Sequence, residues 1–260
     1  IRELEKNLGV NLFIRSGNQT LLTYEGSLVY EYANQLLSQH TELISKLNFL
    51  KYEAEGNLNI GISNTVGTYI LPRLLGKFIH QFPNLQVNFI NGTSAELEQK
   101  TRNNEIDAAI IEYENNLQEL DYIHLENDQI IAVTGKNNSD YPDDISFHEL
   151  KNLSYVTERE KTDISKAIEE NLKKQGLKSS SFQSDIHLNG IEAVKNFIIH
   201  SDGYSLLPRI SVEKELRLNL LKIISIQGFP IQRYYQAILS KKADNKKAEY
   251  FIKFLFSGNK

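Results

Sequence analysis

Residues 24–53 read YEGSLVYEYANQLLSQHTELISKLNFLKYE. Apolar residues recur in this stretch at alternating steps of four and three, which is the heptad spacing of a coiled-coil helix. The seam positions are Val29, Ala33, Leu36, His40, Leu43, Leu47 and Leu50. A stripe this narrow suits pairing with another helix better than covering a globular core. The spacing therefore predicts a dimerisation helix over residues 24–53, capped at its start by Thr23.

The residues before this helix have a different pattern. An amphipathic helix occupies the start of the chain and ends at Gly9, a typical C-terminal glycine. Phe13-Ile14-Arg15 and Thr20-Leu21-Leu22-Thr23 then form two short strands around a turn at 16–19. Helix, strand, turn and strand in this order are the outline of a winged helix. Residues 1–23 are therefore predicted to be the C-terminal part of a winged helix-turn-helix.

Residues 54–260 alternate strands with helices, which predicts an α/β domain with a parallel-rich sheet. Strands are expected at 58–62, 86–90, 108–111, 129–133 and 154–156. Helices are expected at 66–82, 94–103, 166–175 and 191–199, and a surface loop at 136–144.

Composition excludes several classes of protein. The chain has 260 residues, a formal net charge of −4 and no cysteine, so disulfides and thiolate sites are excluded. No stretch approaches the ~20 apolar residues of a membrane-spanning helix, and the first residues do not resemble a signal peptide, so we expect a cytoplasmic protein. The six histidines lack ligand spacing, and no nucleophile elbow or P-loop occurs. We therefore expect no catalytic residues, no metal and no cofactor.

The stretch IRELEKNLGVNLFIR at residues 1–15, followed by LTYEG at 22–26, resembles the LysR family motif I-x-x-LE-x-x-LG-x-x-LF-x-R and its later LT-x-x-G. The likeness continues through GISNTVGTYILP at 61–72, NEIDAAI at 104–110, GYSLLP at 203–208 and VEKEL at 212–216. The variant at 63–72 is similar to the branch of the family associated with sulfur and carbon-fixation genes.

This resemblance implies a winged helix-turn-helix, truncated here at its front, joined by a long helix to an effector domain folded like a periplasmic binding protein. It implies a first lobe over about 57–132 with a return over 229–258, and a second lobe over about 133–228. Most base-reading residues of the family would precede this chain. The candidate DNA contacts that remain are Arg15, Asn18, Gln19 and Thr20, which suit phosphate or minor-groove contact.

Candidate effector contacts follow from strand ends. Ser63-Asn64-Thr65 lies between a strand and a helix, and Gly92-Thr93-Ser94 repeats that arrangement one unit later. Hydroxyls and backbone N–H groups at a helix N-terminus can bind an anion, although Ser, Thr and Asn are also ordinary helix caps. Ligands of open α/β sheets lie beyond the carboxyl ends of the strands. The facing wall is expected to comprise Ile111, Thr157, Gly203 and Tyr204.

These features together predict a transcriptional regulator that senses a small anionic metabolite. Its partners would be the effector, a second copy or pair of dimers, and double-stranded DNA with an inverted-repeat operator, with RNA polymerase as a further candidate. Closure of the lobes on the ligand would alter DNA binding or bending. A solute-binding protein of a transport system shares the two-lobed fold and is the alternative, and an α/β metabolic enzyme is a weaker one.

Overall fold

The computed structural model describes residues 1–16, 19–52, 54–112, 116–138, 144–145, 149, 154–158, 162–174, 176, 186–226 and 230–257. Two compact units are present, Ile1–Ala54 and Glu55–Lys260.

The first unit has two helices around a short hairpin. Its elements are α1 (Arg2–Leu8), β1 (Phe13–Ser16), β2 (Gln19–Leu22) and α2 (Tyr24–Tyr52). The two strands pair antiparallel. Gly9 ends α1 in the left-handed conformation, with φ of 74°, and donates its N–H to the carbonyl of Glu5. The predicted C-terminal glycine and the predicted helix at 24–53 are confirmed, the latter to within one residue.

Three motif residues fix the start of α2. The carboxylate of Glu5 accepts the backbone N–H of Leu12 at 2.8 Å. The hydroxyl of Thr23 donates to the carbonyl of Asn11 at 2.7 Å and accepts the N–H of Gly26 at 2.8 Å, as expected of a helix cap. A side chain on Gly26 would overlap the carbonyl of Leu12, so only glycine fits there. Glu5, Thr23 and Gly26 therefore hold the segment before β1 against the beginning of α2.

The heptad seam of α2 is open to solvent in the single chain. Leu36 is 66% exposed, and Leu43 and Leu47 are each 53% exposed. Val29 and Ala33 are half-buried, and His40 is exposed. Leu50 lies within α2, but its side chain is outside the described part of the structure.

The second unit alternates strands and helices. Its first elements are β3 (Gly56–Ile62), a π-helical turn (Val66–Ile70) that continues into α3 (Leu71–Gln81), β4 (Leu85–Asn91), α4 (Ser94–Arg102), β5 (Ala108–Ile111) and β6 (Leu120–Gly135). They are followed by β7 (Asp144–Ile145), β8 (Val156–Glu158), α5 (Asp163–Lys174), β9 (Ile186–Leu188), α6 (Ile191–Ile199), β10 (Tyr204–Pro208) and α7 (Arg209–Arg217). The last elements are β11 (Leu221–Ile226), β12 (Ile231–Ser240) and α8 (Lys246–Ser257).

The main sheet is mixed. Its strand order is β4-β3-β5-β12-β6-β11-β7, and β10 also pairs with β6. Strand β3 is parallel to both β4 and β5, whereas β12 is antiparallel to β5 and β6. The α/β class is confirmed, but among the described strands parallel pairing is limited to β3 with β4 and β5, to β7 with β11 and to β8 with β9. The segment 129–133, expected to be a short strand, is the end of the much longer β6.

The long strands β6 and β12 run through two halves of this unit. The first half consists of β3, β4 and β5 with α3, α4 and α8; the second consists of β7 to β11 with α5, α6 and α7. The first half has a buried cluster that includes Leu97, Ile111 and Ile238, and aromatic contacts such as Phe78 against Phe251, with ring centroids 4.8 Å apart. A second cluster contains Val133, Val194 and other apolar residues of the second half. Each half therefore has its own core.

Candidate functional site

A cavity of about 250 Å³ opens between the two halves. From the first half it is lined by Ser63, Asn64, Thr65, Thr68, Tyr69, Gly92, Thr93 and Glu112. From the second half it is lined by Glu158, Thr162, Asp163, Ile164, Gly190, Ile191 and Glu192. These residues follow β3, β4, β5 and β8, or begin α5 and α6. The cavity therefore lies where strands end and helices begin.

Four of the nine expected effector contacts line this cavity: Ser63, Asn64, Thr65 and Thr93. The structure places the other five elsewhere. Ser94 is buried and its hydroxyl donates to Asp163 at 2.7 Å, while Ile111 is fully buried in the core of the first half. Thr157 lies on β8 beside its hydrogen-bond partner Tyr155.

Gly203 and Tyr204 lie inside the second half, away from the cavity wall. The carbonyl of Gly203 accepts the hydroxyl of Thr134 at 2.8 Å. The ring of Tyr204 is fully buried and stacks on Tyr155 with centroids 5.3 Å apart. The facing wall of the cavity is formed instead by the starts of α5 and α6. Both starts follow a strand, as residues 63–65 do. Looking for strand-to-helix junctions beyond residue 157 in the sequence would therefore have found them.

Thr65 combines burial with an unused hydroxyl. It is 2% exposed and lines the cavity. It precedes the π-helical turn, and its side chain makes no capping hydrogen bond there. Among the described residues, no donor or acceptor partners its hydroxyl. The hydroxyl of this nearly buried residue is therefore available to whatever fills the cavity.

Two other hydroxyls of the predicted set are engaged within the protein. Ser63 donates to Glu112 at 2.6 Å, and Glu112 in turn accepts from Nη1 of Arg233 at 2.7 Å. Thr93 donates to Glu96 at 3.0 Å and caps α4 in a reciprocal capping box. These hydroxyls therefore position the loops at the ends of β3 and β4.

Four carboxylates line the cavity, and the sequence analysis missed all of them: Glu112, Glu158, Asp163 and Glu192. None of the described lining residues is lysine or arginine. Glu112 follows the buried strand β5 directly, Glu158 ends β8, and Asp163 and Glu192 lie in the first turns of helices. Acidic residues are favourable in a first helical turn, which is why the sequence positions of Asp163 and Glu192 alone did not indicate a site.

Glu192 is fixed by contacts from both halves. Its Oε1 accepts the hydroxyl of Tyr69 at 2.7 Å and lies 2.7 Å from Nζ of Lys195. Lys195 also contacts Glu215 at 3.0 Å and lies 5.2 Å from the centre of the Tyr69 ring. Burial alone would raise the pKa of Glu192, but the hydrogen bonds from Lys195 and Tyr69 outweigh it and lower the pKa. Burial and the bond to Glu192 raise the pKa of Tyr69. Glu192 is thus ionised and oriented at neutral pH.

The candidate DNA contacts lie on or next to the β1–β2 hairpin of the first unit. Thr20 is exposed and pairs in register with Arg15, and Gln19 pairs with Ser16. The side chains of Arg15 and Gln19 and the whole of Asn18 lie outside the described part of the chain.

The described residues contain neither a membrane-spanning helix nor a group of metal ligands. No helix there is long and apolar enough to cross a membrane. No three His, Cys, Asp or Glu side chains in that part of the chain form a group suited to a metal ion.

Comparisons with known proteins agree with this architecture. Residues 52–259 match the family model of the LysR substrate binding domain. A probable RuBisCO transcriptional regulator of Gracilaria tenuistipitata var. liui is 31% identical over 260 residues, which cover 97% of this chain and 84% of that protein.

Two solved structures share the fold. The regulatory domain of CcmR from Synechocystis PCC6803, in complex with 2-PG, aligns with a TM-score of 0.67 at 19% identity and covers 79% of this chain and 98% of its own. Full-length CbnR, in complex with its target DNA, aligns with a TM-score of 0.61 at 16% identity and covers 100% of this chain and 88% of its own. The chain therefore belongs to the LysR family of transcriptional regulators, and its second unit is the family's substrate-binding domain.

Proposed function

We propose that this chain is a DNA-binding regulator that binds a small metabolite with an anionic group in the cavity between the two halves. The lobes would comprise about 57–132 with 229–258 and about 133–228. Ligand would favour one arrangement of the lobes through unequal affinity for the two arrangements, and so change DNA binding or bending. The position of Thr65 carries this proposal: the residue is 2% exposed, lines the cavity, and its hydroxyl has no partner among the described residues.

Helix N-termini on both sides of the cavity support an anionic group. The helical segment that starts at Asn64 begins at the cavity, and α6 begins there with Gly190 as an N-cap that has no side chain to offer. The first backbone N–H groups of a helix have no partner within it, and they carry the positive end of the helix dipole. An anion between the two starts would contact both halves and favour closure. The relative CcmR, solved with 2-PG, is in keeping with such a ligand.

The DNA-binding half of the proposal rests on the first unit. Pairing of two α2 helices along Val29, Ala33, Leu36, His40, Leu43, Leu47 and Leu50 would hold two winged helices at a fixed spacing, in a homodimer or a pair of dimers. Two-fold symmetry then implies an inverted-repeat operator. Arg15, Asn18, Gln19 and Thr20 would contact the phosphate backbone or the minor groove, and RNA polymerase would be a further partner.

The target genes are proposed from the named relative. Because that relative is a probable RuBisCO transcriptional regulator, we propose carbon-fixation genes as targets. The solute-binding alternative is not favoured, because a long seam helix and a hairpin precede the two-lobed unit.

Calorimetry tests the ligand half of the proposal. The 260-residue chain is titrated with 2-PG, inorganic phosphate and sulfate as probes. Thr65→Val, which keeps the shape and removes the hydroxyl, is expected to weaken binding at least tenfold. Thr65→Ser, which keeps the hydroxyl, is the matched control and should stay within about threefold of wild type, a difference below ~1 kcal/mol. Unchanged affinity in Thr65→Val would contradict the proposed site.

The DNA half is tested by gel-shift of the full-length protein on an inverted-repeat fragment. Binding that depends on both half-sites is expected. Failure to bind any such fragment, in the presence and absence of ligand, would contradict it.

A further inference from the structure

Among the described residues, the carboxylates at the cavity outnumber the cations that contact them. Arg233 is shared between Glu112 and Asp128, at 2.7 and 2.9 Å, and Lys195 is shared between Glu192 and Glu215. Lys166 lies 3.6 Å from Asp163. These five carboxylates thus share three cationic side chains in salt-bridge contact, which leaves two negative charges at the cavity.

Other charged residues do not reverse this balance. Lys214 on α7 acts on Glu192 from a longer distance and helps to lower its pKa. Arg159, Glu160 and Lys161 lie outside the described residues, and together they add one positive charge in the sequence. Adding the formal charges of Glu158, Lys214 and these three residues still leaves one negative charge. A ligand that is only an anion would enter a cavity of its own sign, at a cost in Coulomb energy.

Glu192 has a carboxylate oxygen at the cavity that can accept a hydrogen bond from a ligand. Both contacts to Glu192 described above are made by Oε1, and Oε2 has no partner among the described residues. Tyr69 and Lys195 hold the carboxylate in place, and it is 57% exposed at the cavity. The same cavity is lined by Thr65, whose hydroxyl has no partner among the described residues. The two ends of the cavity therefore favour different ligand groups. The carboxylate of Glu192 favours a hydrogen-bond donor, whereas the hydroxyl of Thr65 and the helix start beside it favour an acceptor.

We infer that the effector is a zwitterion, whose protonated amino group binds Glu192 while its acid group lies at Thr65 and the helix start beside it. This inference rests on the proposed function, because it concerns the same cavity. An ammonium group forms short, charge-assisted hydrogen bonds with a carboxylate and offsets the local negative charge. In a zwitterion the ammonium charge cancels one acid charge, so less negative charge opposes entry. The cavity volume of about 250 Å³ is below the ~300–1,000 Å³ of drug-sized sites, so a ligand of amino-acid size fits.

Matched pairs of small acids test the inference. The 260-residue chain is titrated with serine and glycerate, aspartate and malate, and glutamate and 2-hydroxyglutarate. Each pair differs only in an amino group against a hydroxyl. At least one amino acid is expected to bind at least tenfold more tightly than its hydroxy acid and to raise the melting temperature. Equal or tighter binding of the hydroxy acids overturns the inference, as does binding of no member of the series.

Variants separate the two ends of the ligand. Glu192→Gln keeps the side-chain shape and should reduce the amino-over-hydroxy preference at least fivefold, whereas Thr65→Val should weaken both members of a pair alike. Asp163→Asn, which keeps an acceptor for Ser94, is a second variant in case Glu192→Gln perturbs the fold. Glu105→Gln, on the exposed Lys100–Glu105 pair, is the control and should change nothing. An unchanged preference in both cavity variants overturns the inference.

The outcomes also distinguish this inference from the proposed function. If 2-PG, phosphate or the hydroxy acids bind and Thr65→Val abolishes that binding, the effector site stands and the zwitterion is refuted. If no probe of either series binds, both are refuted.

Discussion

Arg233 and Asp128 are cross-strand partners on β12 and β6, and the guanidinium donates from Nε and Nη2 to Oδ2 of Asp128 at 3.0 and 2.9 Å. Nη1 of the same guanidinium donates to Glu112, which also accepts a hydrogen bond from the hydroxyl of Ser63 at the cavity. Asp128 also accepts the backbone N–H of Ile210 in α7 at 3.4 Å. A buried polar chain thus runs from the cavity, across the two long strands, to a helix of the second half.

Removing Arg233 should be strongly destabilising. Arg233→Met would leave Glu112 and Asp128 buried without their cation, and breaking a buried pair in this way costs ~3–5 kcal/mol. Urea unfolding of the variant measures the loss in the free energy of unfolding. Lys100→Met, which removes an exposed ion pair, is the control and should change it little. A loss below ~1 kcal/mol for Arg233→Met would show that the chain is not tightly coupled to the fold.

The capping box of α4 should make stability depend on pH. The backbone N–H of Thr93, and next its hydroxyl, lower the pKa of Glu96. Because this pKa is lower in the folded state, the contribution to stability is present above the unfolded value of ~4.3 and disappears as the pH falls through the folded pKa. Glu96→Gln should therefore reduce the free energy of unfolding more at pH 7 than at pH 3. Denaturation at the two pH values checks this, and an equal difference at both would contradict it.

Two helical glycines should respond in opposite directions to alanine. Gly26→Ala would force a methyl group into the carbonyl of Leu12, and overpacking of this kind costs ~1–3 kcal/mol. Gly76 in α3 has no atom near its missing side chain, so Gly76→Ala should be neutral or stabilise by ~0.4–1 kcal/mol. Amide hydrogen exchange at Leu12 and Thr23 reports on the first unit directly. Slower or unchanged exchange in Gly26→Ala would mean that the close approach is not required.

Local signals allowed correct prediction of local structure. The heptad at 24–53 and the caps at Thr23 and Gly9 depend on neighbours a few residues away, so the sequence contains all of their determinants. Thr65 and Thr93 could be predicted as cavity residues for the same reason, because each stands next to a strand-to-helix junction that local sequence shows. The contact of Glu112 with Arg233 joins residues 121 positions apart, and no local pattern reports such a pair.

Exposure explains some of the elements that were not predicted. The first part of β6 carries Asp121, His124, Glu126 and Asn127 among its apolar residues, because much of it is exposed, and so it lacks the continuous apolar run of a buried strand. The end of the same strand is apolar and buried, and was predicted. The facing wall was misplaced onto Gly203 and Tyr204 because a buried strand end and a cavity-facing one look alike in sequence.

The seam of α2 should hold two subunits together. Leu36, Leu43 and Leu47 are more than half exposed in a single chain, and burying a leucine is worth ~1.5–3 kcal/mol, so each should be buried between paired helices. Leu43→Glu would place two carboxylates in the seam of a dimer and should convert the protein to a monomer in size-exclusion chromatography with light scattering. Gln39→Glu introduces the same charge on an exposed position off the seam, and it should remain oligomeric. A Leu43→Glu variant that keeps the wild-type mass would show that α2 does not hold the subunits together, and the inverted-repeat operator would then lose its structural basis.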